Sequence, residues 1–162
     1  MRDLCINNIM IDLIDRNILD HLQQHGQATN AELGEAVHIS PSQAGRRKAR
    51  LEADGYIIGY QAQLDPSRID LSIQAFIQLS LKEHSRQYAT RLHSFLERQS
   101  TIANIWTMTG RADYLLQVFC RDLSELNSLI HDVLLSHENI AHVESQIVMD
   151  HLKANAGLPV KD

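Results

Sequence analysis

The sequence predicts an α+β protein in two parts: an N-terminal helix-turn-helix of the winged type, joined by a β linker to a C-terminal βαββαβ domain. Three observations predict it. Short helical periods with capping residues fill the first third of the chain. A strict period-two pattern begins at Ser72. A strand-helix-strand order then occurs twice, joined at a glycine turn.

The elements follow in order. Ile14, Ile18, Leu19 and Leu22 have helical spacing and predict a helix over residues 15–25, with Gly26 as its stop. Thr29-Asn30-Ala31-Glu32 is a capping box opening a short helix that carries Ala31, Leu33, Ala36 and Val37. His38-Ile39 is a brief turn. Ser40 then caps the next helix with its hydroxyl, Pro41 suits a first turn that needs no N–H, and Gln43 completes a second capping box. Arg46, Arg47, Lys48 and Arg50 put four positive charges within five residues of that helix. Gly55 ends it as a left-handed cap. Residues 56–64 read as a small hairpin or wing, and Asp65-Pro66 opens a linker.

A basic run is also what an ordinary solvated helix face carries. Here a short capped helix and a tight turn precede it, with a supporting helix before them, which is the helix-turn-helix order. Such a helix fits a DNA major groove: the cations meet phosphates, while Ser42, Gln43 and Arg46 can reach base edges.

In the second half, Ile73, Ala75, Ile77, Leu79 and Leu81 hold the odd positions of residues 72–82, a half-buried strand. Tyr88, Leu92, Phe95 and Leu96 mark an amphipathic helix. Residues 102–109 and 113–120 are two strands that can pair across Gly110-Arg111-Ala112. Asp122-Leu123-Ser124-Glu125 is a third capping-box pattern, opening a helix with Leu126, Leu129, Ile130, Val133 and Leu134 on one side. Residues 140–150 alternate again through Ala141, Val143, Ser145, Ile147 and Met149. This order is the ferredoxin-like motif, an antiparallel sheet with helices on one face. The other face must meet water or another molecule, so a homodimer through the sheets is expected.

The expected boundaries are a DNA-binding domain over 1–63 with an extra arm at 1–9, a linker over 64–71, a βαββαβ domain over 72–152 and a flexible tail over 153–162. No apolar run approaches membrane-spanning length and no signal-peptide pattern opens the chain, so a cytoplasmic protein is expected. Cys5 and Cys120 are the two cysteines, and a disulfide between a leader and a strand is not expected. His21 and His25 lie four apart on one helix without a further ligand clearly placed beside them, so no metal is assigned. No nucleophile elbow, P-loop or paired acid and base is legible, so neither a catalytic residue nor a cofactor is assigned. Trp106, with Met108 and Ile102, reads as strand packing.

Charge constrains the DNA reading. The chain carries −5 net, and residues 1–63 hold six Lys/Arg against eight Asp/Glu. The positive footprint is therefore local to 46–50. One such helix neutralises few phosphates, so useful affinity needs two or more copies on one DNA. A dimer would read a near-palindrome with half-sites about 34–36 Å apart, or a multiple of that.

Four blocks in order resemble the Lrp/AsnC family, the feast/famine transcriptional regulators. They are Ile11-Asp12-Leu13-Ile14-Asp15-Arg16-Asn17-Ile18-Leu19; Ser40-Pro41 through Arg46-Arg47 to Arg50-Leu51-Glu52; Gly55-Tyr56-Ile57-Ile58-Gly59-Tyr60 to Leu64-Asp65-Pro66; and Thr109-Gly110-Arg111-Ala112-Asp113-Tyr114-Leu115-Leu116. The resemblance spans roughly residues 10–150. It implies a regulator whose helix-turn-helix binds double-stranded DNA. It also implies a second domain that dimerises, often stacks into tetramers or octamers, and binds an amino acid or similar molecule between subunits. On that basis the DNA-contacting set is Ser40, Ser42, Gln43, Arg46, Arg47, Lys48 and Arg50. The effector set is Thr109, Gly110, Arg111, Asp113 and Tyr114.

Three departures from the family pattern stand out. Lys48 sits where the family often has an apolar residue, on or beside the packing face; its stem can cover the core while its ammonium reaches phosphate. Gly45 lies inside the helix, at a cost of about 1 kcal/mol relative to Ala. The chain also begins before the family's usual start, so Met1 or Met10 can be the initiator. At the effector turn, Asp113 can accept a ligand ammonium and Arg111 can hold a carboxylate. Gly110 and Asp113 equally suit a plain tight hairpin. Two alternative functions stay open: an architectural DNA binder blind to effectors, and an enzyme on a dimeric sheet.

Overall fold

The structure, a computed structural model, describes residues 11–153 and 157–160. The proposed arm at 1–9 and the choice between Met1 and Met10 lie outside the described residues. The chain divides into two compact units, Met1–Gln63 with Leu152–Asp162, and Leu64–His151.

In the first unit, α1 spans Leu13–Gln24. It starts earlier than apolar periodicity predicts because Asp12 caps it. Asp15 N donates to Asp12 Oδ1 at 2.8 Å, and Asp12 N donates to Asp15 Oδ2 at 3.2 Å. The second helix, α2 (Asn30–Ala36), opens on the predicted box between Thr29 and Glu32. It closes in a Schellman arrangement: His38 takes φ +58°, His38 N donates to Glu35 O and Ile39 N to Gly34 O. Gly34 allows this close turn, since a Cβ there would meet Ile39 O at 2.7 Å. The third, α3 (Pro41–Ala53), carries the predicted Ser40/Gln43 box. It ends with Gly55 at φ +78° and Tyr56 N bonded to Leu51 O. Ile18, Leu22, Leu33, Val37, Ala44 and Leu51 form the buried core of this unit. Each fully buried Leu or Ile here contributes about 1.5–3 kcal/mol of burial.

Two expectations for this unit are corrected. Residues 56–64 form no strand, so there is no wing and no β linker. Ile57 packs on the core and Tyr60 Oη donates to Glu52 Oε1 at 3.0 Å, so the segment runs back along α3, held by side chains. Residues 157–160, expected to be loose, bond to α1: Gln23 Nε2 donates to Leu158 O at 3.0 Å and Arg16 Nη1 to Val160 O at 3.0 Å.

In the second unit, a 3-10 turn over Pro66–Ile69 leads to β1 (Ile73–Leu81), α4 (Arg86–Leu96), β2 (Ile102–Thr107), β3 (Tyr114–Cys120), α5 (Leu123–Ser128) and β4 (Ile140–Ile147). The sheet order is β2-β3-β1-β4, antiparallel throughout, which is the ferredoxin-like order. Ile77 faces Leu116 across β1 and β3. Ala75, Ile77, Leu79, Leu116 and Val118 bury one sheet face against Leu92, Leu96, Leu126, Leu129 and Leu134 of the helices. The α5 helix continues as a π-helical turn over Leu129–Leu134, with Leu135 N bonded to Ile130 O. Its capping box is half formed: Asp122 accepts from Glu125 N, but Glu125 Oε2 takes Arg121 N instead. Trp106, expected to pack within its strand, is 42% exposed on the helix-free face; a bulge between Ile102 and Asn104 shifts the register.

Candidate nucleic-acid interface and effector turn

The four cations of α3 have different surroundings. Asp15 is buried at 1% exposure, and its carboxylate accepts from Arg47 Nη1 at 2.8 Å, from Arg50 Nη2 and from its own cap partner Asp12 N. A buried carboxylate with three donors is satisfied rather than costly. Arg47 also reaches Asp12 Oδ2 at 2.8 Å. Bonds to Asp15 and Asp12 raise the Arg47 guanidinium pKa further, so it stays charged at any working pH. The backbone N–H of Asp15, with help from Arg47, holds Asp12 below the ordinary carboxylate range.

Lys48 is half-buried, and its Nζ lies 5.1 Å from the centre of the Tyr60 ring. Burial and the Glu52 carboxylate push Tyr60 up to about 12. Arg46 is exposed and, among the described residues, makes no ion pair. Ser42 and Gln43 are exposed beside it, and a cleft of about 350 Å³ is lined by Gln43, Arg46, Arg47 and Arg50. Ser40 is engaged in the cap: its Oγ accepts from Gln43 N at 3.3 Å, and its own N donates to Gln43 Oε1 at 3.2 Å. The helix therefore offers Ser42, Gln43 and Arg46 outward, while Arg47 and Arg50 brace it against α1. Gly45 lies where a Cβ would come 2.8 Å from Asn30 Nδ2 of α2, which gives the departure at this position a packing reason.

In the second unit the turn between β2 and β3 carries Gly110 at φ +118°. Asp113 ties this turn to the end of β1: its Oδ2 accepts from Leu81 N at 2.7 Å, its N donates to Leu79 O, and Oδ1 lies 3.4 Å from His84 Nδ1. Ser80 Oγ donates to Arg111 O at 3.1 Å. A cleft of about 180 Å³ beside the turn is lined by Gln78, Met108, Thr109, Arg111, Ala112 and Leu115. Thr109 and Arg111 thus come together as expected from the turn. Asp113 and Tyr114 do not join them. Tyr114 is buried on the helix-covered face, its hydroxyl 2.9 Å from His93 Nε2, because strand alternation turns it opposite to Leu115. Burial and the Asp113 charge raise its pKa.

Sequence reasoning missed Asp12 and Asp15 as braces, and Gln78, Met108 and Leu115 as lining. The Asp-x-x-Asp spacing is a capping-box signal for the first pair, although nothing in it names Arg47. Period two places Gln78 and Leu115 on the helix-free face, and only strand pairing makes them neighbours. The His21 and His25 rings lie 4.6 Å apart between centres, tilted 39° to each other, and no group of three metal-ligating side chains occurs among the described residues.

An outward-facing, doubly braced second helix of a helix-turn-helix, followed by a ferredoxin-like unit, defines the class: a DNA-binding transcriptional regulator. The comparisons give the family. Residues 11–52 match the AsnC-type helix-turn-helix domain, and residues 74–158 match the Lrp/AsnC ligand binding domain. The chain is 32% identical to the leucine-responsive regulatory protein of Klebsiella pneumoniae, over 93% of this chain and 92% of that protein. It is 31% identical to the DNA-binding transcriptional activator DecR of Escherichia coli (strain K12), over 94% of this chain and 100% of that protein. A transcriptional regulator from Neisseria meningitidis, solved as an L-Met complex, superposes with TM-score 0.88 at 33% identity, over 93% of this chain and 97% of that one. The chain belongs to the Lrp/AsnC family of transcriptional regulators. It is a regulator and not an enzyme. Among the described residues, no helix is long and apolar enough to cross a membrane.

Proposed function

We propose that this regulator works in the cytoplasm as a homodimer, stacked further into tetramers or octamers. It binds a near-palindromic operator, and an amino acid changes its assembly or its DNA affinity. The DNA-binding half of the reading rests on α3: Ser42, Gln43 and Arg46 read bases, Lys48 adds a phosphate contact, and Arg47 and Arg50 chiefly hold the helix at its angle to α1. So few free cations per chain support binding by more than one copy. The helix-free sheet face supports the dimer, since Phe76, Leu115 and Phe119 are only half-buried there and Trp106 is exposed. The domain boundaries proposed are 1–63 for the DNA-binding part and 72–152 for the effector part.

The observation that carries the effector reading is the cleft at the β2–β3 turn. Arg111 beside Met108 and Leu115 suits a carboxylate attached to an apolar side chain. The Neisseria relative bound to L-Met supports an amino acid of that kind. Gly110 shapes the turn, Thr109 lines the cleft, and Asp113 positions the turn rather than accepting the ammonium. The test is a thermal-shift screen against the twenty amino acids and several keto acids, since a ligand of the folded state raises Tm. A hit abolished by Arg111→Ala supports the reading; a hit untouched by Arg111→Ala moves the site elsewhere. One observation favours the effector-blind architectural reading: the Asp113 carboxylate is already bonded to Leu81 N. That reading expects no shift with any ligand and unchanged DNA binding throughout.

A further inference from the structure

The first unit contains a second cleft, of about 200 Å³, with Leu19 and Gln23 of α1, Tyr56 and Tyr60, and Leu158 and Val160 in its walls. The last two belong to a distant segment of the same chain, which is seated on α1 and forms one side of the cleft. The Gln23 side-chain amide pairs with both backbone groups of Leu158: Nε2 donates to its carbonyl at 3.0 Å, and Oε1 accepts from its N–H. Arg16 Nη1 donates to the Val160 carbonyl at 3.0 Å. The Leu158 side chain itself is 75% exposed, so its backbone is what Gln23 reads. Gly157 takes φ +69°, and a Cβ there would sit 2.9 Å from Gln23 Oε1, so both conformation and space require glycine. Pro159 restricts the chain to an extended form before docking and leaves no N–H to satisfy. Val160 is half-buried in the cleft wall.

One wall of this cleft also contacts the recognition helix. Tyr60 carries Lys48 Nζ over its ring and bonds Glu52 through its hydroxyl. We infer that the face of α1 carrying Gln23 and Arg16, at the edge of this cleft, is a peptide-binding site that reads the backbone of an extended segment. Its ligand is the chain's own Gly157–Val160 stretch. Seated on α1, the segment completes the cleft wall opposite residues 56–60 and so holds them, and with them Tyr60, against α3. Since Leu152–Asp162 belongs to the first unit, the chain enters that unit twice, and the strap is its second entry.

The experiment compares amide hydrogen exchange in the full chain, in a chain stopped at Lys153, and in Gly157→Ala. The strap predicts exchange roughly tenfold faster at residues 56–60 in both variants, with β1 unchanged. It also predicts that a synthetic peptide of residues 152–162 restores protection to the shortened chain, and that both variants bind operator DNA more weakly. Unchanged exchange at 56–60 in either variant overturns the site. Faster exchange with unchanged operator binding overturns its link to α3. The occupant is checked by dilution: protection at 56–60 that does not depend on protein concentration assigns the site to the chain's own segment, and protection lost on dilution would overturn that assignment.

Discussion

Arg47 Nη1 lies 2.8 Å from Oδ1 of Asp15, so the recognition helix is braced from beneath by a carboxylate that solvent barely touches. Thirty-two residues separate the two in sequence. The pair assigns one of the four clustered cations to architecture, and Arg50 on the same carboxylate assigns another. The cost of moving charges out of water is offset because Arg47 and Arg50 remain partly solvated, at 29% and 44% side-chain exposure.

Removing the brace and removing the reader should therefore have opposite signatures. Asp15→Ala is expected to destabilise the first unit by about 1–3 kcal/mol, less than a fully buried pair because both guanidiniums reach solvent. Arg46→Ala should leave stability within about 0.5 kcal/mol, as surface changes do. It should nevertheless cost about 1–3 kcal/mol of operator binding and relax one base position. Urea denaturation and operator titration on both variants check this.

The helix-turn-helix corner should be intolerant at Gly34. Alanine there gains about 1 kcal/mol of helix propensity. Its Cβ would however press on the Ile39 carbonyl at 2.7 Å, a backbone atom that cannot swing aside. Such overpacking costs about 1–3 kcal/mol or more. Gly34→Ala is expected to lower Tm. Gly45→Ala meets only the Asn30 side chain and should be milder. Thermal unfolding by circular dichroism distinguishes the two.

Acid should loosen the first unit through its caps. Asp12 has its pKa lowered below 3.8 by the Asp15 N–H and by Arg47. A depressed carboxylate contributes stability that is complete above the unfolded value and is lost as pH falls through the folded one. Stability should thus decline below pH about 3.8, and Asp12→Asn should flatten that decline. Denaturation midpoints measured from pH 5 down to pH 2.5 (roughly the span set by linkage) give the slope.

Alkali should act at the other end of the unit, through Tyr60. Its folded pKa is raised from 10.0 to about 12. An acid raised on folding contributes stability that is present below the unfolded value and is lost as pH rises through the folded one. The window is therefore from 10.0 to about 12. Tyr60→Phe should remove this group's share of the alkaline loss, and a phenolate absorbance titration should lose a late-titrating tyrosine.

At the effector turn, stability and recognition should separate. Arg111→Ala is expected to abolish the ligand-induced thermal shift while leaving the ligand-free Tm unchanged. Asp113→Ala should lower the ligand-free Tm itself, because the Leu81 N–H loses its acceptor, a loss of about 1–3 kcal/mol where the group is shielded from water. Melting curves with and without the screening hit read both effects.

The sequence by itself determined what depends on near neighbours. The Thr29/Glu32 and Ser40/Gln43 boxes form where their three-residue spacing puts them, and Gly55 takes the left-handed cap. Period two in β1 buries Ala75, Ile77 and Leu79, which fixes the sheet face and, with the element order, the ferredoxin-like architecture. These signals are local because a helix relates positions three and four apart, and a strand positions two apart. Only the tertiary structure decided which cations are free, where Asp113 points, and that residues 56–60 form no wing but run back along α3. Arg47 and Arg50 look like Arg46 in the sequence; a carboxylate on another helix distinguishes them. Asp113 and Arg111 sit in one turn, yet the end of β1 claims the first and leaves the second beside a cleft. Gly157 to Val160 read as a loose end until Gln23, more than a hundred residues away, supplied partners for their backbone. In each case the deciding group is distant in sequence, and charge pairing or hydrogen bonding across that distance exists only once the chain has folded.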